Sequence, residues 1–256
     1  MRSVYVALLG VVVLLGGCGG EDGIFDSLKP RASVYYYNQI TSNGAANEDN
    51  LTVDFTVKAD DEDSVSDQGY SRDTDAKELR VRIDDNEDNN SASLRGESQT
   101  GATLFNERAR FVNEGSYTAV SFGDTSSGGI SLAVFKQDES DVSGSARFRV
   151  INTINPAQFN RYGISLRYNS ESEPFAAELR LGDATEYQTV NSGKLSLVVA
   201  DSEAEPEEIL GRVDCSLSGS SAYDVILAYS DPLNLPTRAA DLEDNLALYC
   251  HKQDEP

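Results

Sequence analysis

Ala32-Ser33-Val34-Tyr35-Tyr36-Tyr37-Asn38-Gln39-Ile40 and, 114 residues later, Ala146-Arg147-Phe148-Arg149-Val150-Ile151-Asn152-Thr153-Ile154 read as two versions of one strand. Ala32, Val34, Tyr36, Asn38 and Ile40 stand in phase with Ala146, Phe148, Val150, Asn152 and Ile154. Apolar residues at every second position mark a strand with one face in a core. Outward from this pair the correspondence continues in chain order. Leu51, Val53, Phe55 and Val57 match Tyr162, Ile164, Leu166 and Tyr168 at an offset of 111. Leu79, Val81 and Ile83 are set against Leu195, Leu197 and Val199, and Leu104, Phe111 and Tyr117 against Leu210, Leu217 and Tyr223. Ile130 to Phe135 then matches Leu246 to Cys250.

Offsets that change only between strands indicate a duplicated unit with variable loops. Each copy holds about seven short strands bounded by Gly, Asn, Asp and Ser. Alternating strands bury one face, and two sheets packed together satisfy that requirement. The expectation is all-β: two tandem Ig-like antiparallel β-sandwich domains, at 31–140 and 145–252, joined near Asp138–Ser145. A short helical turn is expected somewhere in Leu233–Leu242.

The segment ahead of the first copy reads as an address. Arg2 precedes an uncharged apolar run from Val4 to Leu15, the length of a signal-peptide core and too short to span a bilayer. Leu15-Gly16-Gly17-Cys18 resembles the bacterial lipobox, which implies cleavage of residues 1–17 and acylation of Cys18. Residues 18–30 are then the lipidated cysteine and a tether. Several acyl chains on Cys18 would hold the chain to a membrane where one would not. Gly19 stands where inner-membrane retention signals place Asp, so the outer membrane of a bacterial cell envelope is expected.

Two cysteines remain, Cys215 and Cys250, and an even pair in an oxidising compartment predicts a disulfide. The whole chain carries a net charge of −22; removing residues 1–17 takes away one Arg and no acid, giving −23. That balance excludes nucleic acid, whose binding rests on basic residues displacing counterions. It also leaves anchoring to the lipids alone.

Ala146-Arg147-Phe148-Arg149-Val150-Ile151-Asn152, the alternating strand at 163–168, and Gly115-Ser116-Tyr117-Thr118-Ala119-Val120 followed by Phe122-Gly123 resemble a known family. It is the tandem β-sandwich family called domain of unknown function 4397 (DUF4397), found in bacterial lipoproteins and surface proteins. The resemblance spans most of 31–250. The second copy departs from it with Tyr223-Asp224 and Tyr229-Ser230. It implies the sandwich fold and the envelope location, and it brings no catalytic residues.

Nothing in the chain assembles a familiar catalytic motif. The sole histidine is His251, and no nucleophile elbow, phosphate loop or zinc-binding helix motif is present. The expected role is therefore non-catalytic. Either the chain is a protein-interaction or scaffolding module, with an envelope protein as partner, or it is a surface module for a glycan or for adhesion. No cofactor is expected except calcium, for which the acidic runs offer hard oxygen ligands: Asp61 and Asp63 in one, Asp84, Asn86 and Asp88 in the other. Solvated loop tips are the competing reading of the same residues. Tyr35 and Tyr37 point away from the core face of their strand. They are candidates for stacking on a sugar or a partner, or for packing against the tether or the second copy.

Overall fold

The computed structural model describes residues 31–59, 62–72, 77–82, 91–138, 143–159, 163–204 and 208–253. The first half contributes eight strands. They are β1 (Arg31–Thr41), β2 (Val53–Lys58), β3 (Glu62–Gln68), β4 (Lys77–Arg82), β5 (Ser91–Ser98), β6 (Thr103–Arg110), β7 (Ser116–Asp124) and β8 (Ser131–Lys136). The second half repeats the series. Its strands are β9 (Ser145–Asn152), β10 (Ile164–Tyr168), β11 (Ala176–Leu179), β12 (Gln188–Asn191), β13 (Gly193–Asp201), β14 (Ile209–Leu217), β15 (Ser221–Tyr229) and β16 (Leu246–Lys252). Short 3-10 turns lie at Ala239–Asp241 and Glu243–Asn245.

Each half is a sandwich of two four-stranded sheets. In the first, β4-β1-β7-β8 packs on β3-β2-β5-β6; in the second, β12-β9-β15-β16 packs on β11-β10-β13-β14. Strand for strand the orders are the same. Pairing is antiparallel except where the first strand of each half lies parallel to the seventh, β1 on β7 and β9 on β15. The sheets that hold these pairs thus combine strands distant in sequence, and among the described residues each half shows eight strands where the pattern suggested about seven.

The cores follow the alternation. Val34, Tyr36, Val53, Phe55, Leu79, Leu94 and Phe111 fill the first sandwich, with Tyr36 stacked on Phe55 at 4.0 Å between ring centres. Phe148, Val150, Ile164, Leu166, Leu197 and Leu217 fill the second. Burying one large apolar side chain contributes about 1.5–3 kcal/mol, so these layers supply most of the driving force.

Two details show that the halves share construction as well as shape. Asn38 and its counterpart Asn152 are both fully buried pegs. Asn38 Nδ2 donates to Leu51 O and Gln68 O, and Asn152 Nδ2 to Ile154 O and Arg180 O. Each holds crossing loops whose carbonyls would otherwise be buried unpaired. Likewise Tyr117 Oη accepts the Val112 amide at 2.8 Å, and Tyr223 Oη accepts the Ser218 amide at 2.8 Å. This is the tyrosine-corner arrangement of β-sandwiches.

One sequence match is corrected. Leu79 and Val81 lie in β4, whereas Leu195, Leu197 and Val199 lie in β13, the counterpart of β5. The register places Val81 opposite Ala32 and Val190 opposite Ala146, so β12 is the true equivalent of β4. Ile83 lies outside the described residues. The strand β12, Gln-Thr-Val-Asn, carries a single apolar residue and is half-exposed, so it leaves almost no hydrophobic signal.

The Cys215–Cys250 disulfide is formed, with its Cα atoms 6.1 Å apart. It ties β14 of one sheet to β16 of the other across the second sandwich.

Candidate functional site

The sandwiches do not hang as beads on a string. The two inner sheets, β4-β1-β7-β8 and β12-β9-β15-β16, face each other, and Tyr37, Tyr70, Val120, Ile151, Ile226, Ala228 and Tyr249 form a third apolar cluster between them. The chain is thus four sheets deep. Strands β7 and β15 are buried on both faces, as their burial patterns show. The sequence carried a sign of this in Val225-Ile226-Leu227-Ala228-Tyr229, a continuous apolar run unlike the alternation of β2. Two-sided burial is what such a run requires.

The interface relates like to like. Thr118 Oγ1 donates to the carboxylate of Asp224, and these residues occupy equivalent places at the starts of β7 and β15. Tyr37 of β1 packs on His251 of β16, the rings tilted by 37° with their centres 4.2 Å apart. Their counterparts Ile151 of β9 and Phe135 of β8 belong to the same cluster. Such reciprocity is the signature of a two-fold, isologous contact. Here the two partners are halves of one chain, and the axis runs along β7 and β15.

A polar group sits within this surface. Arg149 and Asp224 are 6% and 1% exposed. Arg149 Nε donates to Asp224 Oδ1 at 2.6 Å, and one Nη donates to the Lys136 carbonyl at 2.8 Å. The guanidinium lies between the rings of Phe135 and Tyr187, 5.2 and 4.9 Å from their centres. Gln137 Nε2 donates to Thr118 Oγ1, and Gln253 Nε2 to Tyr187 Oη at 2.7 Å. Burial, and then the charge of Asp224, push the Tyr187 phenol up to about 12. Both ions of such a pair have left water, a desolvation cost that offsets much of their attraction, and removing either alone strands the other.

The loops at the ends of β1 and β15 add polar contacts. Ser42 N donates to Pro232 O at 2.8 Å, Leu235 N to Asn43 Oδ1 at 2.7 Å, and Tyr70 Oη to Tyr229 O at 2.7 Å. Arg72 grips Glu48 through two bonds of 2.8 and 2.7 Å and reaches Ser230 O at 3.4 Å. The hydrogen bonds from Arg72 hold the Glu48 carboxyl below its usual range. Gly182 of the second half lets Phe122 of the first approach; a Cβ there would lie 2.4 Å from the ring, and its φ of +85° suits glycine.

The residues expected to bind a ligand fall as follows. Tyr37 is 4% exposed and packed on His251, so it has no surface to offer a glycan. Tyr35 is half-buried against the same cluster. Alternation correctly turned both away from their own core, and the second sandwich covers the face to which they turn. Asp63 is engaged within its half: its carboxylate accepts the Ser64 and Arg80 amides at 2.9 and 2.8 Å, stitching β3 to β4. Asp61, Asp84, Asn86 and Asp88 lie outside the described residues, as do Cys18 and the rest of the address. Among the described residues no group of three or more His, Cys, Asp or Glu is placed to hold a metal. His251 is 6% exposed, walled in by the interface.

No family model and no curated protein matches the chain. Among solved structures, one named as a candidate cell adhesion protein, from Bacteroides fragilis NCTC 9343, is similar over 88% of this chain and 98% of that one. The identity is 8% and the TM-score 0.20, a likeness too slight to carry an argument.

Proposed function

We propose that this chain is a non-catalytic, lipid-anchored module of a bacterial cell envelope, acting as a rigid scaffold for another envelope protein. The observation that carries the reading is the interface. Its aromatic and charged residues, which in a flexible tandem would be free for ligands, are spent on locking the two sandwiches together. What remains for a partner is outer surface held in fixed geometry, the property a scaffold needs. Attachment through Cys18, an outer-membrane address and kinship with the DUF4397 family belong to this proposal and rest on the sequence motifs. The glycan-stacking alternative loses its support with the burial of Tyr37.

Cells fed an alkynyl fatty acid test the anchor: the wild-type chain takes up label and Cys18→Ser does not. Cross-linking in intact cells, followed by purification, tests the partner. A discrete cross-linked protein supports a scaffold. An unlabelled wild-type chain that stays soluble, or one that cross-links to nothing, overturns the reading.

A further inference from the structure

At the ends of β1, β7, β9 and β15, beyond the apolar part of the interface, a cavity of about 230 Å³ opens between the sandwiches. Thr41, Asp124 and Ser127 of the first half and Thr153, Gln158 and Tyr229 of the second line it. It lies where the internal two-fold fails. Gly123 and Tyr229 are equivalent positions, and Gly123, at φ +116°, lets the following turn fold so tightly that a Cβ would meet Gly129 O at 2.1 Å.

The hydroxyls of the lining are one-sided in their hydrogen bonding, and the side-chain amides of Asn155 and Gln158 stand beside them. Thr41 Oγ1 gives its proton to Gly123 O, Ser127 Oγ to Asp124 O, Thr153 Oγ1 to Leu227 O and Tyr229 Oη to Gln158 Oε1. Each hydroxyl therefore turns lone pairs, not a proton, toward remaining space. Asp124 is only 8% exposed, and its carboxylate receives hydrogen bonds from Ser126 alone, from the amide at 2.9 Å and from Oγ at 2.7 Å. Among the described residues no Lys, Arg or His pairs with it. A nearly buried carboxylate without a cationic partner has unmet demand for positive charge. The main-chain bonds Thr125 N to Thr41 O, and Ser127 N and Gly128 N to Asp124 O, hold this wall in place before any ligand arrives.

We propose that the cavity binds a small amine in its ammonium form, with the ammonium on Asp124. The ammonium supplies three donors and the missing charge. The volume lies below the roughly 300–1,000 Å³ of sites for drug-sized ligands, so the ligand has the size of an amino alcohol or an amino sugar. A ligand bearing its own carboxylate is disfavoured beside Asp124, since no basic side chain lines the cavity to receive it.

Titration of the full chain by calorimetry, in mildly acidic buffer, tests this with ethanolamine and glucosamine against glucose and calcium. The amines are expected to bind and glucose, equal in size but uncharged, to fail. Asp124→Asn keeps the shape and the acceptor for Ser126, and it should weaken amine binding about tenfold or more. Three results would each overturn the proposal: no heat from either amine, equal binding of glucose and glucosamine, or calcium as the only ligand lost with Asp124→Asn. Melting of Asp124→Asn without ligand shows that the variant is folded, so a loss of binding is read as a loss of the site.

Discussion

The two halves share one strand order, one buried Asn and one tyrosine corner, yet their facing surfaces have diverged in opposite directions. Where the first half has Tyr35 and Thr118, the second has Arg149 and Asp224; where the first has Phe135, the second has His251. At these positions one face is aromatic and hydroxylic, while the other carries the ion pair and the imidazole. A second divergence lies inside the sandwiches. Ala109 and Val134 of the first half occupy the places that Cys215 and Cys250 take in the second, each packed against its own core. Duplication conserved the frame, while the interface and the cross-link became specific to one copy. The frame is set by periodicity that many sequences satisfy, whereas a match between two faces depends on particular side chains.

The largest test of this contrast is at the buried pair. Arg149→Met leaves Asp224 charged and unpaired between the sandwiches and is expected to cost about 3–5 kcal/mol in denaturant unfolding. Arg149→Met with Asp224→Leu should recover most of that loss, since an apolar pair needs no counter-charge. A double variant as unstable as the single would show that the ion pair supplies net stability and not only specificity. Next comes the cross-link. Giving the second half the residues of the first, Cys215→Ala with Cys250→Val, keeps the packing and removes the constraint on the unfolded chain. The expected loss is about 3–4 kcal/mol, read from the shift of the unfolding midpoint. A loss under about 1 kcal/mol would mean the second sandwich is no more dependent on its bridge than the first is on its apolar pair.

A smaller effect should be shared by both halves. Tyr117→Phe and Tyr223→Phe each strand one backbone amide, at a cost of about 1–2 kcal/mol. Tyr223 also contacts Ser218 Oγ at 2.5 Å, so its loss should be the slightly larger. Widely different values would argue against equivalence of the corners. An effect confined to high pH is a response to alkali at the interface. The folded-state pKa of Tyr187 is raised, to about 12, above the ~10 of a free phenol. Its contribution is thus complete below about pH 10 and lost as pH climbs through about 12. Melting temperature should fall over that window, and less steeply in Tyr187→Phe. Equal slopes would place the sensitivity elsewhere, Tyr36 and Tyr70 also being held neutral by burial.

Much of the frame was legible in the sequence because period-two alternation reports which residues share a face. Val53, Phe55 and Val57 declared β2, and the paired Asn38 and Asn152 marked the same step in both halves. Alternation does not tell one strand from another. Leu79 and Val81 could therefore be laid against β13, when their real counterpart β12 is too polar to announce itself. Nor does alternation say what lies opposite a face. Tyr37 was turned outward correctly, but the His251 ring it packs on is 214 residues away, and only the packing of sheet on sheet brings the two rings together. The cavity at Asp124 was beyond reach for the same reason, since its walls come from the ends of four strands in two halves.

Because the two-fold runs along the strands, the molecule has a head and a foot. Strand β1 enters at Arg31 beside the start of β7, β8 finishes opposite Tyr117, β9 begins beside Ser221, and β16 finishes opposite Tyr223. Every passage of the chain into, between and out of the sandwiches is therefore at one end. The eleven residues of β1, at about 3.3 Å each, carry the chain roughly 35 Å to the opposite end, where Thr41, Asp124, Thr153 and Tyr229 meet. Were the chain held ahead of Arg31, as proposed above, that end would be the one farther from the attachment.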